Sequence, residues 1–243
     1  MNKRAKIRLF LDAPMGAGQS LILNRDQANY LFNVMRLSVG DSVSVFNGQD
    51  GEWQARVAEA NKRKGILICE TQSGLQVSPP DLWLVFAPIK KARTDFIVEK
   101  ATEMGAARIL PVRTDFTNSD RMRQERLQAH AVEASEQCGG TYVPPVEDIQ
   151  NLSTLLDHWP DDRQILFCDE RKVGEPVSDL SDQHRGKWAI LIGPEGGFSE
   201  AEQSRLRRFE QATSISLGPR ILRADTAAVA ALALWQRALG DWA

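Results

Sequence analysis

Four charged side chains, Glu195, Arg220, Arg223 and Asp225, stand in or beside two short Gly-Pro loops near the end of this 243-residue chain. The first loop, Gly193-Pro194-Glu195-Gly196-Gly197, follows the apolar run Trp188 to Ile192. The second, Gly218-Pro219-Arg220-Ile221-Leu222-Arg223-Ala224-Asp225-Thr226, follows Ser214 to Leu217. Glycine lacks the side chain that would hold a ligand away from the main chain. Two such loops suit a small molecule held by backbone groups. A guanidinium beside it favours the ionised form of an acid, and a carboxylate can accept a proton.

Other chemistries lack their signatures. There is no G-x-G-x-x-G after an early strand and no G-x-x-x-x-G-K-[ST], so neither a dinucleotide fingerprint nor a P-loop is present. Gly16-Ala17-Gly18 reads as a structural turn. His130, His158 and His184 have no metal-ligand spacing to one another or to Cys69, Cys138 and Cys168, which argues against a metal site. No G-x-S-x-G elbow points to a serine nucleophile.

The elements that position the loops follow from periodicity. Leu82 to Phe86, Arg108 to Val112, Ile165 to Cys168, Trp188 to Ile192 and Ser214 to Leu217 are strand-like. Between them, helices are expected from Thr94 to Met104 and from about Arg121 to Cys138, and Ser199 with Glu202 forms a capping box that opens another. Thr226 to Trp235 carries no charge and reads as a fully buried helix ending at Gly240. Alternating strands and helices predict a mostly parallel sheet, whose ligands sit beyond the carboxyl ends of the strands. The two loops and Asp169-Glu170 all leave such ends.

The front of the chain differs. Arg8 to Leu11, Leu21 to Leu23, Ser42 to Phe46, Trp53 to Val57 and Ile66 to Cys69 alternate as short strands, which suggests a small closed barrel. One helix interrupts them, capped by Asn24 with Gln27 three residues on, with Ala28, Leu31 and Met35 on one face and Arg36 at its end. The Gly, Ser and Pro residues of 73–80 mark a linker. The expected domains are therefore 1–72 and 81–243. Net charge is −2, yet residues 1–80 hold ten Lys and Arg against seven Asp and Glu, a local +3 that leaves −5 for the rest. Three unpaired cysteines, no apolar leader and no membrane-length stretch predict a soluble, reduced, cytoplasmic protein.

The ordered set of motifs resembles one family. Leu191 to Ser199 and Leu217 to Ala227 look like the paired signature of the RsmE family in the SPOUT superfamily of RNA methyltransferases. Asn33-Val34-Met35-Arg36-Leu37, Glu99 to Gly105 and Glu136-Gln137-Cys138-Gly139 match as well, so the likeness spans nearly the whole chain. It implies an α/β fold with a C-terminal trefoil knot, an exception to ordinary topology, behind a PUA-like RNA-binding barrel. It implies a homodimer that uses S-adenosylmethionine to methylate N3 of a uridine in 16S ribosomal RNA, with no metal.

Carried over by position, the cofactor set is Ile192, Gly193, Glu195, Gly196, Gly197, Leu217, Gly218, Ile221, Leu222 and Arg223. Arg223 is the expected activator of the base, with Glu195 or Asp225 as proton acceptor; either carboxylate could instead serve as a local cap. Arg8, Arg36, Lys90 and Arg93 are the expected RNA contacts, followed by Arg121 and Arg123. Two positions depart from the family pattern: Gly140 replaces a basic residue, and Asp225 is one methylene shorter than the usual Glu. A non-catalytic RNA-binding protein and a SPOUT enzyme acting at another RNA position are the alternatives, and the glycines at 193, 196, 197 and 218 are the argument against the former.

Overall fold

The computed structural model describes residues 7–118, 122–180 and 185–243, so Arg121 and His184 lie outside the described residues. The chain divides into two units, residues 1–78 with 135–143 and residues 79–134 with 144–243.

In the first unit the alternating segments form β1 (Arg8–Phe10), β2 (Ser20–Leu23), β3 (Ser42–Phe46), β4 (Glu52–Asn61) and β5 (Lys64–Gly74). They make one sheet in the order β1-β3-β4-β5-β2, antiparallel except for the parallel pair β1 and β3. β4 and β5 are longer than alternation predicts because three register irregularities let the hairpin keep pairing as it bends. The edge strands β1 and β2 are not paired with each other. Their inward residues Leu9, Leu21 and Leu23 share a core with Val43, Val45, Leu67, Ala28 and Leu31.

Helix α1 (Arg25–Asn29) starts at the Asn24–Gln27 capping box and passes into a π-helical turn, Tyr30–Val34. That turn corrects the helical phase. Ala28 and Leu31 are buried as expected, but Met35 is 40% exposed. Its N–H bonds to the Tyr30 carbonyl five residues back, and the wider turn swings it off the buried face. Arg36 then ends the turn in the left-handed region at φ 58°.

The second unit holds β6 (Leu82–Phe86), β7 (Arg108–Arg113), β8 (Gln150–Asn151), β9 (Arg163–Cys168), β10 (Lys187–Ile192) and β11 (Ala212–Ile215). They form a parallel sheet in the order β11-β9-β10-β6-β7-β8. Trp188, Ala189, Ile190 and Leu191 of β10 are all buried, as a strand covered on both faces requires. The helices are α2 (Lys91–Glu103), α3 (Gln124–Cys138), α4 (Leu152–Asp157), α5 (Glu200–Arg208) and α6 (Ala224–Ala238), the last residues of α3 belonging to the first unit.

Three expectations change here. α2 begins three residues early, and the Thr94 hydroxyl, expected at its start, instead bonds back to Ile89 inside the first turn. β11 ends two residues early because Ser216 leaves the sheet: its hydroxyl donates to the carbonyls of Lys172 and Glu175. α6 is covered on one side only. Ala224, Ala228, Ala231, Leu232 and Trp235 are buried, while Val229, Ala230, Ala233 and Leu234 are half-buried. No helix of the described residues is long and apolar enough to cross a membrane.

Candidate functional site

Three neighbouring strands, β11, β9 and β10, end on one rim of the sheet, and their loops enclose a cavity of about 490 Å³. The volume suits a small molecule. Of the predicted cofactor set, all ten residues line it: Ile192, Gly193, Glu195, Gly196 and Gly197 on one side, Leu217, Gly218, Ile221, Leu222 and Arg223 on the other. Cys168, Asp169, Glu170 and Val173 add a third side, and Pro194, Ile215, Arg220, Ala224 and Ala227 complete the lining. The Leu217 and Leu222 amides donate to no group of the described residues. Free main-chain donors on residues that line a hollow suit a ligand with hydrogen-bond acceptors. Cys168 is half-buried in the wall, and desolvation pushes its thiol up to about 12.

The first loop is braced from below. Glu170 Oε1 accepts from the Phe198 amide at 3.2 Å and from Gln203 Nε2 at 2.7 Å, and Gln203 also donates to the Phe198 carbonyl at 2.8 Å. Gly197 sits at φ 71°, where a Cβ would fall 2.5 Å from Glu170 Oε1. A Cβ on Gly193 would fall 2.7 Å from the Phe198 ring. These two glycines are thus required by packing within the loop. Their presence alone does not separate a ligand-binding site from a silent one, which corrects the argument drawn from them in the sequence.

The second loop is held at its base. The Ser178 hydroxyl accepts from the Ser216 amide at 2.8 Å, and the Gly218 amide donates to the Ser216 hydroxyl at 3.1 Å. The 172–178 segment therefore lies against 216–218. Beyond it the chain is open. Ile221 is 82% exposed, and the exposed Arg220 and Arg223 side chains make no hydrogen bond or ion pair among the described residues.

The predicted catalytic residues separate. Arg223, at the N-cap of α6, and Glu195 both stand at the cavity with no side-chain partner among the described residues. Asp225 does not line the cavity. Its carboxylate takes an ion pair from Arg93 at 2.8 Å and a hydrogen bond from the Thr226 amide. Arg93, expected at RNA, therefore tethers the first turn of α6 to α2.

Arg8 is turned inward. Its guanidinium donates to Glu52 at 2.7 Å and to the carbonyls of Ser135, Glu136 and Gly140, and it lies 4.6 Å above the Phe46 ring. With its side chain only 11% exposed, it has little to offer an RNA backbone. It anchors 135–143 in the first unit, although the sequence places that segment in the second domain. Arg36, Lys90 and Arg123 are exposed. Sequence reasoning missed Gln203, the brace under the first loop, and Phe116, which no motif marks. Glu170 it flagged only as part of a strand end.

A parallel sheet with a cavity at its carboxyl rim defines an α/β protein that binds a small ligand at its strand ends. Residues 76–236 match the RNA methyltransferase domain family and residues 23–68 the RNA methyltransferase PUA domain. The ribosomal RNA small subunit methyltransferase E of Rickettsia conorii is 30% identical over 230 residues, 93% of each chain. Its counterpart in Bacillus subtilis is 30% identical over 222 residues, 85% of this chain and 86% of that one. The crystal structure of the Neisseria gonorrhoeae enzyme of that name, bound to S-adenosyl methionine, superposes with a TM-score of 0.87 at 27% identity, covering 98% of this chain and 99% of the other. A Legionella pneumophila protein in complex with the same cofactor gives 0.86 at 25% identity, covering 98% and 100%. The chain belongs to the RsmE family of ribosomal RNA small subunit methyltransferases.

Proposed function

We propose that this protein is a cytoplasmic homodimer that transfers a methyl group from S-adenosylmethionine to N3 of a uridine in 16S ribosomal RNA. The observation that carries the reading is the unpaired guanidinium of Arg223 at the mouth of a cavity walled by three strand-end loops. When bound, the cofactor supplies a methyl group on a positively charged sulfur. Uridine N3 carries a proton at neutral pH and becomes a nucleophile only on losing it. Arg223 favours the ionised base. Glu195, exposed and unpaired, is the better proton acceptor, since Asp225 is occupied by Arg93. Holding donor and acceptor in place supplies much of the remaining acceleration.

The half-covered apolar face of α6 supports the dimer, because a second copy would bury Val229, Ala230 and Leu234. The bonds between 172–178 and 216–218 support reading that crossing as the trefoil knot. The front domain, 1–72, is the RNA-binding module in this reading, with Arg36 as its contact.

The test is transfer of labelled methyl to small ribosomal subunits from cells lacking this modification, followed by nucleoside analysis. Label in N3-methyluridine, lost in a folded Arg223→Ala variant, supports the assignment. Label in another nucleoside would discard the target. Absence of both transfer and cofactor binding would leave a non-catalytic RNA-binding protein.

A further inference from the structure

A second cavity, of about 420 Å³, shares Pro194, Glu195 and Gly196 with the first, and Pro88, Ile89, Lys90, Lys91, Phe116 and Asn118 complete its wall. Its aromatic and polar side chains are one open ring, two cations, one carboxylate and the Asn118 amide. Phe116 is 47% exposed. Its turn is nevertheless fixed. The Thr114 amide donates to the Thr117 hydroxyl at 2.9 Å, the Asp115 amide to Glu202 at 3.0 Å, and the Ser199 hydroxyl to the Asp115 carboxylate at 2.5 Å. The ring is thus presented, uncovered, by a turn latched to the capping box of α5. It borders the shared wall, since a Cβ on Gly196 would lie 3.4 Å from the Phe116 Cβ.

Lys90 and Lys91 are both exposed, and neither side chain makes a hydrogen bond or ion pair among the described residues. Paired cations next to an open ring suit a nucleotide, whose phosphate the lysines neutralise and whose base stacks on the ring. Glu195 repels phosphate, so it faces the base. RNA sequence is read mostly on unstacked bases laid against aromatic side chains.

We propose that this second cavity receives the acceptor nucleotide, extruded from its strand. Phe116 stacks the base, Lys90 and Lys91 hold the adjoining phosphate, and the base edge meets Glu195 at the wall shared with the first cavity. The arrangement rests on the RNA-methyltransferase reading above, and it explains how acceptor and methyl group meet at Gly196, where the shared wall carries no side chain.

The test compares wild type, Phe116→Ala and Phe116→Trp for the affinity of a labelled small-subunit RNA fragment, for methyl transfer, and for S-adenosylmethionine binding by calorimetry. Phe116→Ala should weaken RNA binding and raise the KM for RNA about 10- to 100-fold, with cofactor affinity within twofold of wild type; Phe116→Trp should restore both. Lys90→Ala and Lys91→Ala should each lower the salt dependence of RNA binding by about one counterion. RNA affinity unchanged in Phe116→Ala overturns the proposal, whatever the transfer assay gives. Wild type that binds the cofactor and the RNA but transfers no methyl group would instead overturn the parent reading. In that case the RNA-affinity comparison still decides the fate of the Phe116 subsite.

Discussion

The two Gly-Pro loops look alike in sequence and are built differently. The 193–197 loop is clamped by Glu170, Gln203 and Phe198, side chains that sit beneath it and decide which of its residues must be glycine. The 217–223 loop is fixed only where Ser216 and Gly218 meet the 172–178 segment, and its tip carries the unpaired Arg220 and Arg223. One wall of the cavity is set before any ligand arrives, whereas the other keeps its charges free for one. A preorganised surface lowers the ordering cost of binding, and unpaired charges at the mouth stay available to a bound group.

The sharpest way to break this contrast is Arg223→Ala, which should lower kcat about 100- to 1,000-fold with the thermal midpoint unchanged, because the side chain touches nothing in the fold. A large loss of stability would sink the idea of a free tip. Glu170→Ala acts on the other wall. It removes the acceptor of the buried Gln203 and of the Phe198 amide, so stability should fall by about 1–3 kcal/mol and cofactor affinity with it, as calorimetry and chemical denaturation would record. Glu170→Gln, which keeps an acceptor oxygen, should cost less. Within the clamped loop, Gly197→Ala should destabilise by about 1–2 kcal/mol through its left-handed backbone, whereas Gly196→Ala should stay within about 0.5 kcal/mol; equal costs would erase the distinction between them.

The smallest effect concerns Cys168 in the same wall. Its folded-state thiol lies at about 12 against an ordinary 9.0, so its contribution to stability is complete below pH 9 and is lost as pH climbs toward 12. At pH 8 it stays protonated, and alkylation of the native protein should proceed at least about tenfold more slowly there than at the exposed Cys138.

Much of the architecture was legible because each element carries its own period. The continuous apolar run of β10 announced a strand buried on both faces, and Asn24 with Gln27 announced the start of α1. Met35 was misplaced because a π turn has no compositional mark. The end of β11 was misplaced because Ser216 bonds to residues some forty positions earlier in the chain. Arg8 looked like an RNA contact, since a sequence shows charge but not the three carbonyls that converge on it. The cavity's lining residues could be carried over from the motif, yet Gln203 and Phe116 could not. Their roles exist only where separate strand ends and turns come together.

The strand order has a consequence for synthesis. β10 at the sheet's centre pairs with β6, made about a hundred residues earlier, and with β9; every wall of the cavity lies after residue 167. At translation rates of about 5–20 residues per second, β6 waits about 5–20 seconds for its central neighbour. During that interval its LWLVF segment is an uncovered apolar edge. Nascent chains arrested before β10 should therefore depend on chaperones and bind no ligand, and the site should appear late and all at once.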